Sequence, residues 1–522
     1  MGKWGRKSKP FVTSLVLAGS LLAMPAGATV HAAANTASPV AKSALAAEIE
    51  EATILDLEHD MQKGALTSEQ LVEFYLNRIG KYDDSIHSII TINKDAIVEA
   101  KKLDQERKAG KVRGPLHGIP VILKDNFDTY DMQTTAGSLS LKGSFPLDDA
   151  YQTKRLREEG AIILGKANLH EFAFGFETIS SLGGQTYNPY DTTRYPGGSS
   201  GGTAAAVTSN FVTVGLGTDT GGSIRIPSSF NDLVGIRPTM GLASRDGIIP
   251  LALSQDVGGP IARTVEDAAV VLDAIAGYDP ADPVTEASVG KVPKTYTHYL
   301  KKNGLKQARI GIVRALFGKD QQINKVMDEA VADMKEQGAE VYEVTIPNLD
   351  QILAYPSLSG YEFKFQLNDY LASLGPNAPV HTLTDIINSG LYHPSLKSGL
   401  ISRNNMGSLE TNVDYQRIIT ERPKLAKESL MSTFNEFELD ALVYPTSSAL
   451  PAVVGSGQGA GNANRLSPFS GFPAISVPAG FSDNGLPIGM EMLGKAFDEP
   501  TLIKLAYSYQ EATHNRKAPV LK

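Results

Sequence analysis

From Ile86 to His514 the chain passes again and again from short β-branched runs to segments whose apolar residues recur at helical spacing. No other feature constrains the fold as much, because each kind of segment buries its apolar side in a different geometry. The strand-like runs are "IHSIITIN", "GIPVILKDNF", "VTVGLG", "ARIGIV", "AEVYEVTIP", "LDALVYPT", "PAISVPAGF" and "GMEMLG". Between them lie helical stretches: "LVEFYLNRI" behind a Thr67/Gln70 capping box, "DAIVEAKKLDQERKAG" closed by Gly110, "GTAAAVTSN", "EDAAVVLDAIAG" capped by Thr264, "INKVMDEAVADMKEQG" and "TLIKLAYSYQEATH". Such alternation predicts an α/β fold, a mixed central β-sheet covered by α-helices on both faces. Strand signals in both the first third and the last fifth predict one sheet assembled from distant parts of the chain. Residues 47–522 are expected to form a single large domain. Within it, about 284–404 is weakly patterned outside one strand, helix and strand, and is expected to be a variable, substrate-facing lobe.

The first residues stand outside that pattern. "MGKWGRKSKP" carries Lys3, Arg6, Lys7 and Lys9, and the uncharged "FVTSLVLAGSLLAM" follows. Residues 1–34 read as a secretory signal peptide, with Ala28, Ala32 and Ala34 as candidate last residues removed. The apolar run is shorter than the ~20 residues that span a bilayer, so no stable membrane insertion is expected. A flexible lead-in, 35–46, comes next. Export to the medium or the cell envelope is the expected localisation. Processing would take the formal charge from −8 to −12, since four cations and no acid leave. An acidic exported chain is a poor nucleic-acid binder.

There are no cysteines, which excludes disulfides, iron–sulfur clusters and thiolate zinc. "HEFAF" at His170 begins like a zincin motif, but Phe174 stands where the second ligand belongs. Neither a metal nor a cofactor is expected.

The densest glycine and serine stretch is "PGGSSGGTAAA", Pro196 to Ala206. Gly197 to Gly201 satisfies G-x-S-x-G, the nucleophile elbow of Ser-His-Asp hydrolases. An elbow needs an apolar strand before the serine, and here "YNPYDTTRYPGG" is polar and broken by proline. The later histidines, His298, His381, His393 and His514, stand in no distinctive context.

A second serine, Ser223, follows two glycines in "GLGTDTGGSIRIPSS". Consecutive glycines let several N–H groups turn to one side, so the amides of Thr220, Gly221, Gly222 and Ser223 could form an oxyanion hole. A serine hydroxyl needs a base, and Lys124, at the end of the apolar strand "GIPVIL", is the best remaining candidate. To serve when neutral its pKa must fall from ~10.4 to about 7, at a cost of about 4 kcal/mol that burial in such a strand could impose.

These residues fall within a longer pattern. "GGSSGGTAAAVTSNFVTVGLGTDTGGSIRIPSSFNDLVGIRPT" resembles the glycine- and serine-rich signature of the amidase signature family. "GPLHGIPVILKDNF" and "PAISVPAGFSDNGLPIGMEMLG" extend the likeness over nearly the whole mature chain, most weakly between about 284 and 404. The resemblance implies a Ser, cis-Ser, Lys triad: Ser223 the nucleophile, Ser199 the bridging serine after a cis Gly198–Ser199 bond, Lys124 the start of a proton relay. Ser200, Asp219 and Arg225 match polar positions that support the network.

It also implies hydrolysis of a small-molecule or peptide amide without a cofactor. The family's substrates span fatty-acid, aryl, small aliphatic and C-terminal peptide amides, and it includes the glutaminase component of a tRNA-dependent amidotransferase. "GYEFKFQLNDYLASLG" looks like a segment of bacterial relatives that include peptide amidases, or else is an amphipathic helix with Tyr361, Phe365 and Leu371 inward. The alternatives are the amidotransferase glutaminase, against which the signal peptide argues, a Ser-His-Asp α/β-hydrolase, and a silent binding protein on this scaffold. Sequence leaves monomer and homo-oligomer equally open.

Overall fold

A computed structural model describes residues 46–376 and 378–522. The proposed signal peptide, and the lead-in up to residue 45, lie outside the described residues. The strands, in chain order, are β1 Ile89–Ile92, β2 Pro120–Lys124, β3 Ile162–Ala167, β4 Ile179–Ser180, β5 Gly184–Gln185, β6 Val214–Asp219, β7 Val234–Arg237, β8 Val257–Ala262, β9 Arg309–Ile312, β10 Glu340–Glu343, β11 Ala441–Pro445, β12 Ala474–Phe481 and β13 Pro487–Leu493. β4 and β5 make a small separate ribbon.

The other eleven form one sheet in the order β1-β3-β2-β6-β8-β7-β12-β13-β11-β9-β10. β3, β2 and β6 run parallel, as do β11, β9 and β10, while the strands between β6 and β11 pair antiparallel. The sheet is therefore mixed, and strands from the two halves of the chain meet at its centre, β7 against β12. Every residue of β2, β3, β6, β7, β8, β11 and β13 is buried, so these strands are covered on both faces.

Local chemistry explains several of the helix starts. Thr67 and Gln70 close a reciprocal capping box at Ser68–Tyr82. Thr264 caps Val265–Ile275 by accepting from the Asp267 amide. The helix Gly201–Thr208 is different, because all eight of its residues are buried, against β6, β8 and β2.

Two expectations need adjusting. β6 runs to Asp219, two residues beyond "VTVGLG", because its ladder with β8 continues to the Asp219–Val257 pair. The helix Ser359–Ser373 turns Phe363, Leu367 and Leu371 inward, with Tyr361 and Phe365 only half-buried. Its buried face packs on Phe172, Leu251, Leu383 and Leu400. In the stretch 284–404, β9 and β10 belong to the main sheet, and the helices Leu349–Ala354, Ser359–Ser373, Leu383–Ser389 and Lys397–Asn404 lie outside it.

What matters for function is the register of β2 beside β6. Val121 pairs with Val214 and Leu123 with Leu216, so the carboxyl ends of these two parallel strands lie side by side. Crevices outside the carboxyl ends of strands are where α/β sheets bind ligands.

Candidate active site

Lys124 is the last residue of β2 and is fully buried. Its Nζ donates to Ser199 Oγ at 2.7 Å and to Thr218 Oγ1 at 2.6 Å. Thr218 Oγ1 also accepts from Asn126 Nδ2 at 3.1 Å. Burial pushes the Lys124 pKa down to about 7, against the pull of Asp219 and Asp256 toward the charged form. The amine is thus held by hydroxyls, with no carboxylate bonded to it, which is the setting in which a lysine can be neutral near pH 7.

Ser199 reaches that amine from a tight turn. The Gly198–Ser199 peptide is cis, and a Cβ on Gly198 would come within 2.8 Å of the Gly175 carbonyl oxygen and 2.9 Å of the Phe176 Cα. Gly202 is as constrained: a Cβ there would sit 2.2 Å from the Asn168 carbonyl oxygen. The glycines therefore let the start of the buried helix press against two backbone segments. No strand of the main sheet leads into Ser199, whose own carbonyl accepts from the His170 amide at 3.0 Å. The nucleophile-elbow geometry is absent. Ser200 Oγ, next along, accepts from the Thr218 amide and donates to its carbonyl, both at 3.3 Å, pinning the turn to β6.

Beyond β6, Asp219 organises the second serine. It accepts from the Ile224 amide at 3.2 Å, from Arg225 Nε at 3.0 Å and from Arg237 Nη1 at 3.2 Å. Burial opposes its ionisation, but Arg225 and Arg237 outweigh that and hold the carboxyl well below its ordinary range. Arg225 continues the network to Glu491 Oε1 at 2.6 Å and the Asn464 carbonyl at 2.9 Å, all of it buried.

One of the four expected oxyanion donors is already committed. The Gly222 amide donates to Asp219 Oδ1 at 2.6 Å, because the carboxylate folds back over the turn that follows its strand. Gly222, at φ +118°, is absent from the cavity wall, whereas Thr220, Gly221 and Ser223 line it. The available donors are thus the amides of those three. The other side of the Gly221–Gly222 peptide is held too, since Asn464 Nδ2 donates to the Gly221 carbonyl.

Ser223 and these amides open onto a cavity of about 750 Å³. Its far wall comes from the helical stretch after β10, with Ser357, Ser359, His393, Ser398 and Arg403 among the lining residues. The volume suits a ligand of a few hundred daltons. Ser223 Oγ forms no side-chain hydrogen bond among the described residues, as suits a hydroxyl facing a substrate site.

Comparison with known proteins agrees with this geometry. The amidase family model matches residues 70–503. The chain belongs to the amidase family. It is 38% identical over 501 residues to a probable amidase of Arabidopsis thaliana, covering 90% of this chain and 92% of that one. It is 37% identical over 489 residues to a glutamyl-tRNA(Gln) amidotransferase chain of Gloeothece citriformis, covering 90% and 99%. Among solved structures, the native peptide amidase of Stenotrophomonas maltophilia superposes with a TM-score of 0.84 at 39% identity, over 90% of this amidase and 99% of that chain. The protein is an amide-hydrolysing enzyme.

The amidase site also contains residues that sequence reasoning passed over. Thr218 and Arg237 both lie inside the quoted signature, but nothing in it says that Thr218 faces Lys124 or that Arg237 faces Asp219. Asn464 lies more than two hundred residues further on, in "GNANRLSPF", where nothing local marks it. No helix among the described residues is long and apolar enough to cross a membrane.

Proposed function

We propose that this amidase cleaves a carboxamide to a carboxylic acid and ammonia or an amine through an acyl-enzyme on Ser223. The observation that carries this reading is the Lys124 Nζ to Ser199 Oγ hydrogen bond, made by a fully buried amine beside the cavity that Ser223 lines. Neutral Lys124 takes the Ser199 proton as Ser199 takes that of Ser223, and Ser223 Oγ forms its bond to the carbonyl carbon. The carbonyl oxygen gains charge against the amides of Thr220, Gly221 and Ser223, where each donor is worth ~3 to 4 kcal/mol. The proton then returns through Ser199 to the leaving nitrogen as the C–N bond breaks. Water releases the acid by the same relay in a second cycle.

For the substrate, the likeness to a peptide amidase supports C-terminal peptide amides, and the cavity is roomy enough for an amino-acid residue or two beyond the scissile bond. Residues 1–34 support export, which argues against a cytosolic amidotransferase role despite the identity to the Gloeothece amidotransferase chain. The test is a fluorophosphonate label mapped by mass spectrometry, with a panel of amides scored by ammonia or amine release. Label on Ser223, lost with release in Ser223→Ala, is the expected result. Label on Ser199 would restore the Ser-His-Asp alternative, and neither label nor release would leave a silent binding protein. Ser223→Ala should lower kcat by about 10⁶, the scale seen when a serine hydrolase loses its nucleophile.

A further inference from the structure

The charges on the cavity wall are lopsided. Arg403 and Arg465 both line it, and neither forms an ion pair among the described residues. Among the described residues the one carboxylate on the wall, Glu177, lies 3.2 Å from His170 Nδ1 and accepts from the Gln458 amide at 3.4 Å. His393 and Tyr195 are the other titratable side chains on it.

Both guanidiniums are anchored so that part of each is left over. Arg403 donates Nε to the Ser359 carbonyl and Nη1 to the Gly399 carbonyl, both at 3.2 Å, and its Cζ lies 4.1 Å from the centroid of the Phe174 ring, which also lines the cavity. Arg465 donates Nη1 to the Leu353 carbonyl at 2.8 Å. Nη2 of each makes no hydrogen bond within the protein among the described residues. A guanidinium tethered by carbonyls is positioned without being neutralised, and its planar fork suits a carboxylate. Burial pulls both pKa values down with no acid to oppose it, as expected where a cation awaits its counter-ion.

The contrast with the rest of the chain sharpens the point. The formal charge is −8, and most arginines among the described residues have acids beside them, as in Arg107–Glu58, Arg157–Asp131 and Arg516–Glu51. An unpaired cationic wall in an acidic protein concentrates the field in its cleft.

We infer that Arg403 and Arg465 form an anion-recognising subsite, and that the preferred substrates are amides carrying a carboxylate away from the scissile bond, such as ω-carbamoyl carboxylates or C-terminal amides of acidic amino acids. This rests on the amidase reading and specifies its substrate. The anionic group would take the free guanidinium edges while the scissile carbonyl meets the amides beside Ser223.

The test pairs each anionic amide with a neutral one of similar length. Succinamate, glutaramate and adipamate are compared with butanamide, pentanamide and hexanamide, and the acetylated α-amide of glutamate with that of methionine. At one chain length or more, kcat/KM should favour the anion at least tenfold, mostly through KM. The preference should shrink as salt rises from about 0.05 to about 0.5 M. Arg403→Met and Arg465→Met should each reduce the anion-to-neutral ratio about tenfold or more, and Arg403→Lys should keep part of it. A wild-type enzyme that turns over neutral amides as fast as anionic ones at every length overturns the subsite while leaving the amidase reading intact. No release from any amide, with no label on Ser223, overturns both.

Discussion

In the proposed relay, Lys124 is the residue on which the chemistry turns. Its amine is neutral above a pKa of about 7 and charged below it, and only the neutral form can accept the Ser199 proton. Amide hydrolysis should therefore lose about tenfold in kcat/KM per pH unit below that value, and Lys124→Met should be nearly inactive. A pH profile flat from about 5 to about 9 would count against the relay. Asp219 gives a second residue-scale prediction. Among the described residues it is the one acid touching both Arg225 and Arg237, and removing a partner from a buried pair costs ~3 to 5 kcal/mol. Asp219→Asn should lower stability by about that much in equilibrium urea unfolding, with Ser223 labelling slowed in the folded fraction. A loss below about 1 kcal/mol would mean Glu491 alone suffices for Arg225.

At the level of elements, the start of the helix Gly201–Thr208 sets the distance between Ser199 and the sheet. Helix propensity alone favours alanine over glycine by ~1 kcal/mol. At Gly202 that gain meets a backbone oxygen 2.2 Å from the new Cβ, and overpacking of this kind costs ~1 to 3 kcal/mol or more. Gly202→Ala should thus be destabilising and should depress turnover by displacing Ser199. Gly360, near the start of Ser359–Ser373, has open space where an alanine methyl would sit, with no atom within 4 Å of it, so Gly360→Ala should instead stabilise by ~0.5 to 1 kcal/mol. Thermal melts of the two variants moving in the same direction would refute this account of the glycines.

For the whole molecule, the sheet order explains how the residues of the proposed site come together from positions far apart in sequence. Lys124 ends β2, Ser223 follows β6, and Glu491 reaches Arg225 from β13. Residues 46–522 make one compact unit. The proposed export signal belongs to this scale as well. N-terminal sequencing of protein recovered outside the producing cell should begin at Thr29, Ala33 or Asn35, and recovery of only full-length, cell-retained chain would refute export.

The amino-acid sequence by itself determined the alternation of strands and helices, the capping of Ser68–Tyr82 and Val265–Ile275, and the three residues of the proposed relay. Those properties are local: periodicity, a hydroxyl or amide at a helix start, a signature of fixed spacing. Tertiary structure decided what each polar group faces. It gave the Gly222 amide to Asp219 instead of to an oxyanion, placed Thr218 under the lysine, and brought Asn464 to the Gly221 carbonyl. It also chose which side of Ser359–Ser373 is inward and left Arg403 and Arg465 without ion pairs at the cavity, among the described residues. Whether the partners are three residues apart, as Asp219 and Gly222, or 243 apart, as Gly221 and Asn464, such a bond leaves no periodic trace along the chain, because only the folded backbone brings its two atoms together.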